Sequence, residues 1–73
     1  MVSRSQLLNK LRELGFEYKR RAKRVEIYKR PGSAIRVAIP MRKEHDEHAV
    51  RLLLDSAGAS ADEIDEFIKS TTM

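Results

Sequence analysis

Cysteine is absent from the 73 residues. That excludes disulfides, thiolate metal ligands and a cysteine nucleophile, and it fits a reducing cytoplasm, which is the expected localisation. No apolar run approaches the roughly 18 residues of a membrane-crossing helix. The opening Met1-Val2-Ser3-Arg4-Ser5 leads straight into a helical pattern and does not read as a secretory signal. There is no glycine-rich phosphate loop and no metal-finger spacing. Ser3, Ser5, Ser60, Thr71 and Thr72 lack the histidine or lysine arrangement that nucleophilic catalysis uses. A chain of about this length buries only about 60 % of its unfolded surface, too little to enclose a large cofactor. One domain over residues 1–73 is expected, with no cofactor and no metal.

What is present is charge, unevenly distributed. The net charge is +4, from 15 lysines and arginines against 11 acidic residues. Residues 1–43 hold 13 basic and 3 acidic residues, and residues 44–73 hold 2 and 8, so the halves carry +10 and −6. Such a split points to a polyanion on the basic face. The acidic end reads as helix solvation or as a mask for that face.

The hydrophobic pattern gives the elements. Ser3 and Gln6 form a capping-box pair, and Leu7, Leu8, Leu11 and Leu14 recur at helical spacing, so a first helix is expected from Ser3 to Leu14. Gly15 ends it. Phe16 and Tyr18 alternate with charged residues in a first strand, and Ala22-Lys23-Arg24 reads as a turn. A second strand then sets Val25, Ile27 and Lys29 against Glu26, Tyr28 and Arg30. Pro31-Gly32 marks a turn. Ile35, Val37 and Ile39 form the apolar side of a third strand, stopped by Pro40 and joined to the second as an antiparallel hairpin. Asp46 caps a second helix carrying Val50, Leu53, Leu54 and Ala57, closed at Gly58. Ser60 and Glu63 open a short third helix with Ile64, Phe67 and Ile68. The expected fold is α+β: α-β-β-β-α plus a short C-terminal helix, with the helices covering the Val25/Ile27/Ile35/Val37/Ile39 face. The expected core is Leu7, Leu8, Leu11, Leu14, Phe16, Val25, Ile27, Ile35, Val37, Ile39, Leu53, Leu54, Ile64 and Phe67.

The basic run is the main functional signal. Lys19, Arg20, Arg21, Lys23, Arg24, Arg30, Arg36, Arg42 and Lys43, with Lys29 among them, would bind a phosphate backbone through released counterions and bidentate guanidinium contacts. The competing reading is a solvated sheet edge, where such charges oppose aggregation. Tyr18 is expected to pack, and Tyr28 either packs or stacks on an unpaired base. His45 and His48, spaced three apart at the start of the second helix beside Glu44 and Glu47, would sit on neighbouring ridges. They read first as exposed helix-start residues, then as a replacement base or a weak metal site.

The order of these landmarks resembles the HicA family of small bacterial toxins. The likeness is carried by the opening Ser-x-x-x-Leu-Leu helix, the Leu14-Gly15-Phe16 turn and the Ile27-Tyr28-Lys29-Arg30 strand. It continues through Arg36-Val37-Ala38-Ile39-Pro40, the Leu-rich helix closing on Ala57-Gly58, and the tail from Ser60 to Ile68. The resemblance implies a fold like that of double-stranded-RNA-binding domains, mRNA as the target, interferase activity and an acidic HicB-like antitoxin as partner. One departure matters. The family's second strand opens with a Gly-Ser-His-His type motif, where this chain has Lys23, Arg24, Val25 and Glu26. The catalytic histidine's place falls to Val25, or to Glu26 if the register slips by one. Arg42 stands where a histidine often follows the strand-ending proline. The expected function is therefore RNA binding with little or no cleavage. The alternatives are cleavage through Glu26 or through His45/His48, and a non-catalytic module for an acidic antitoxin-like protein.

Overall fold

The computed structural model describes residues 1–71; Thr72 and Met73 lie outside the described residues. In chain order the elements are β1 (Val2–Ser3), α1 (Arg4–Glu13), β2 (Glu17–Ala22), β3 (Val25–Lys29), β4 (Arg36–Pro40), β5 (Glu44–His45), α2 (Glu47–Ser56) and α3 (Ala61–Thr71). The fold is α+β. β2, β3 and β4 form an antiparallel meander, and β1 pairs with β5 in a separate two-residue ladder. That ladder is not visible in the sequence, because two residues are too few to show an alternation.

The helix ends follow from local chemistry. The Ser3 side chain accepts from the Gln6 N–H while the Gln6 side chain reaches back to the Ser3 N–H. Gly15 has φ +90°, and the Gly15 and Phe16 N–H groups bond to the Arg12 and Leu11 carbonyls at 2.9 Å. This is the left-handed stop that carries Phe16 back onto the last turn. Asp46 caps α2 by accepting from the Ala49 N–H at 2.7 Å, and Ser60 and Glu63 form the capping box of α3. α3 has 11 residues, one more than α2, so it is not the short element expected.

The sheet departs from expectation at β3. Lys29 pairs with Arg36, leaving six loop residues, 30–35, between them. An even-length loop joins odd positions on one strand to even positions on the other, and directly paired residues share a face. Tyr28 therefore lies with Val37, and Glu26 with Ile39, toward the helices, while Val25 and Ile27 turn the other way. The core accordingly contains Tyr28, 5 % exposed, together with Leu7, Leu11, Phe16, Val37, Ile39, Val50, Leu54, Ile64 and Ile68. Leu8, Leu14, Ile35, Leu53 and Phe67 pack against it. Val2, Ala57 and Ala59 are further buried members. Val25 and Ile27 leave the expected core for the open face, where each is half-buried.

Candidate nucleic-acid interface

A bulge sets the second half of the surface. β2 runs in register with β3 from Glu17↔Lys29 to Tyr18↔Tyr28, then skips Lys19 and resumes at Arg20↔Ile27. The extra residue flips the parity of the rest of β2. The face turned away from the helices thus carries three cross-strand rows. They are Glu17, Lys29 and Arg36; Arg20, Ile27 and Ala38; and Ala22, Val25 and Pro40. Ala22, Val25, Ile27, Ala38 and Pro40 form an apolar floor, with Lys29 and Arg36 in the first row and Arg20 in the second.

These cations crowd one another. The Lys19 ammonium is pushed below its ordinary pKa, first by the Arg36 charge, then by partial desolvation, then by Lys29 and Arg20. A fully exposed lysine feels such a field only where several like charges converge. Lys23, Arg24 and Arg42 gather beyond the last row, and Arg21, which pairs in register with Glu26 on the helix-facing side, joins them around a cleft that Val25, Pro40 and Met41 also line. Val25 and Pro40 belong to both regions, so the open face and the cleft form one continuous basic strip.

Among the described residues none of these eight cations makes an ion pair. Three cations outside the strip differ, Arg4 among them, paired with Glu26. Arg51 on α2 is held by Asp65 at 2.8 Å and by Glu47 at 3.7 Å, and Lys10 lies 3.6 Å from Glu13. The fold neutralises Arg4, Lys10 and Arg51, while Arg12, Arg30, Lys43 and Lys69, like the strip, carry no ion pair among the described residues.

Several expected site residues are placed elsewhere. Tyr28 is enclosed by the core, and its hydroxyl pKa is raised, mainly by burial and then by the Glu26 charge. The loop parity that turns it inward removes it as a stacking platform. Tyr18 remains 53 % exposed and forms a T-shaped pair with Tyr28, centroids 5.8 Å apart. Arg30 does not join the strip. Its guanidinium lies 5.7 Å from the Phe16 ring centre, and its stem covers Gly15, where an added Cβ would stand 3.3 Å from the Arg30 Cδ. Lys43 is exposed and contributes its backbone carbonyl to the Arg4 N–H at 2.8 Å.

The candidate bases are also withdrawn from the strip. Glu26 faces the helices and pairs with the Arg4 guanidinium, which also donates to the Pro40 carbonyl at 2.7 Å. It is a structural carboxylate rather than a free base on the basic face. His45 does not lie on α2. Asp46 is the cap, so His45 precedes the helix in β5, where it is 4 % exposed and pairs with Val2. Among the described residues its Nε2 has no hydrogen-bond partner, and its pKa is lowered by burial and then by the charges of Arg4 and Arg42, with Asp46 opposing. His48 is exposed on α2, so the two imidazoles do not share a helix face. No group of three or more metal-ligating side chains occurs among the described residues, and no helix there is long and apolar enough to cross a membrane.

Lys29 is the strip residue that sequence reasoning misplaced. Its position beside Val25 and Ile27 reads as core-facing until the loop length is known. No family model, no curated protein and no solved structure matches the chain.

Proposed function

We propose that the chain is an RNA-binding domain that lays a phosphate backbone along the open face of its sheet. The observation that carries this reading is the unneutralised strip formed by Lys19, Arg20, Lys29 and Arg36 and continued by Arg21, Lys23, Arg24 and Arg42. Packing like charges together opposes folding unless a polyanion relieves it. The floor of Val25, Ile27 and Ala38 offers van der Waals contact to sugar and base edges without selecting among them. A backbone-dominated mode of this kind suits RNA read by shape. It also accords with the resemblance of the chain to HicA-type toxins.

Binding without efficient cleavage is the form of the activity supported best. Attack by a ribose 2′-hydroxyl needs a positioned base, worth about 10²–10⁴-fold in rate. Val25 offers none at the family's histidine position, Glu26 is engaged by Arg4, and His45 is buried. Incubation of purified protein with long single-stranded RNA should give binding and no robust cutting. Robust cutting by the wild type would overturn this, and Glu26→Gln against His45→Ala/His48→Ala would then identify the base.

Binding itself is tested by fluorescence anisotropy with single-stranded and duplex RNA at low salt. Lys29→Glu/Arg36→Glu should weaken binding by on the order of tenfold or more, across sequences. Arg51→Ala, which removes a cation already paired, should leave affinity unchanged. Negligible affinity of the wild type for both RNAs would sink the proposal.

A further inference from the structure

The cleft at the turn end of the sheet differs from three other surface depressions. It has a volume of about 390 Å³ and is lined by Arg21, Lys23, Arg24 and Arg42 with Val25, Pro40 and Met41. Among the described residues no carboxylate lines it. The depression between α1 and α3 includes Glu13 and Glu66, the one beside Tyr18 includes Glu17, and the one at His45 includes Glu44 and Asp46. Four cations around one concavity with no acid form a site of higher positive charge than a single phosphodiester, with its one negative charge, requires.

The walls are fixed. The Met41 N–H bonds to the Arg24 carbonyl at 2.9 Å, tying the β2–β3 turn to the segment after β4, and the Arg42 N–H bonds to the Pro40 carbonyl at 2.9 Å. Arg24 and Arg42 thus stand on walls joined through the backbone. Lys23 holds φ +46° at the first position of the two-residue turn. Glycine or asparagine fits that conformation at less cost, and strained positions of this kind concentrate at ligand clamps. A lysine there adds a fourth cation to the rim.

We propose that this cleft seats the terminal phosphomonoester of an RNA strand, with the phosphate among the four cations and the terminal nucleoside against Val25, Pro40 and Met41. The inference rests on the RNA-binding reading and adds a strand-end site to it. The charge argument selects the end. A phosphomonoester carries about −1.5 to −2 at pH 7, its second pKa being about 6. Its three free oxygens accept several guanidinium bonds at once. The cleft is also continuous with the open face through Val25 and Pro40, so a strand ending there has its remaining phosphates over Arg20, Lys29 and Arg36.

The test uses one short single-stranded RNA sequence in three forms: 5′-phosphate, 3′-phosphate, and hydroxyl at both ends. One of the phosphate-ended forms should bind the full chain about tenfold more tightly than the hydroxyl-ended form, and which one does so fixes the strand polarity. That preference should disappear in Arg24→Gln/Arg42→Gln. It should survive in Lys29→Gln/Arg36→Gln, which weakens all three forms together. It should also shrink as pH falls through about 6, where the monoester loses its second charge. Equal affinity for the three forms would overturn the end-site inference while leaving the RNA-binding reading standing. Absence of binding to all three at low salt would overturn both.

Discussion

At Tyr28 the aromatic ring fills core volume beside Val37 instead of meeting solvent, and it forms a T-shaped pair with Tyr18. Tyr28→Ala should cost about 3–5 kcal/mol, as truncation of a buried aromatic does. Tyr28→Phe, which keeps the ring, should leave RNA affinity unchanged. Urea melts and anisotropy separate the two effects, and loss of RNA affinity in a folded Tyr28→Phe protein would return the residue to the interface. His45 makes the second residue-scale prediction. Its folded pKa lies below the ordinary value of 6.5 because burial and the Arg4 and Arg42 charges disfavour the imidazolium. The unfolded chain therefore binds the proton more readily than the native one. This contribution to stability is complete above about pH 6.5 and is lost as pH falls below it. Unfolding midpoints followed between about pH 7.5 and 5.5 should fall for the wild type and fall less for His45→Leu. Parallel curves would contradict the assignment.

Among the elements, the N-terminus of α1 is held by a clasp. Arg4 reaches Glu26 on β3 and the carbonyl of Pro40 at the end of β4, while its own N–H bonds to Lys43. Both charged side chains are about four-fifths buried. Arg4→Ala leaves Glu26 and the Pro40 carbonyl without this partner and should cost about 1–3 kcal/mol. Arg4→Ala/Glu26→Gln should recover part of that loss, since no uncompensated carboxylate remains. A double variant less stable than Arg4→Ala alone would argue against the clasp. The helix ends were legible in the sequence because a cap is decided by residues three or four apart, as at Ser3/Gln6 and Ser60/Glu63. The β4 alternation was legible for a similar reason, since Val37 and Ile39 carry it within one strand. The facing of β3 was not. It depends on the length of the 30–35 loop, and the facing of the second half of β2 depends on the Lys19 bulge, both set by pairing between strands. That one parity moved Tyr28 and Glu26 inward and Val25, Ile27 and Lys29 outward. It changed which residues form the candidate site while leaving the fold class intact.

Across the whole molecule the two charge populations occupy different layers. The excess positive charge of residues 1–43 is concentrated on and around the open sheet face, and six of the eight acidic residues beyond position 43 lie on α2 and α3. Arg51 on α2 ties those two helices together through Asp65 and also pairs with Glu47 one turn back on its own helix. The result is a sheet with one side sealed by helices and the other left basic and bare. On the proposed function, this basic side binds RNA through its phosphates. The most direct measurement is the salt dependence of affinity for single-stranded RNA, in the wild type and in Lys29→Gln/Arg36→Gln. With about 0.7 counterions released per phosphate contact, engagement of the whole strip gives a slope of log affinity against log salt near about −5 to −6. The double variant should reduce that slope by about 1.4. A wild-type affinity indifferent to salt, or the same slope in both proteins, would contradict the account.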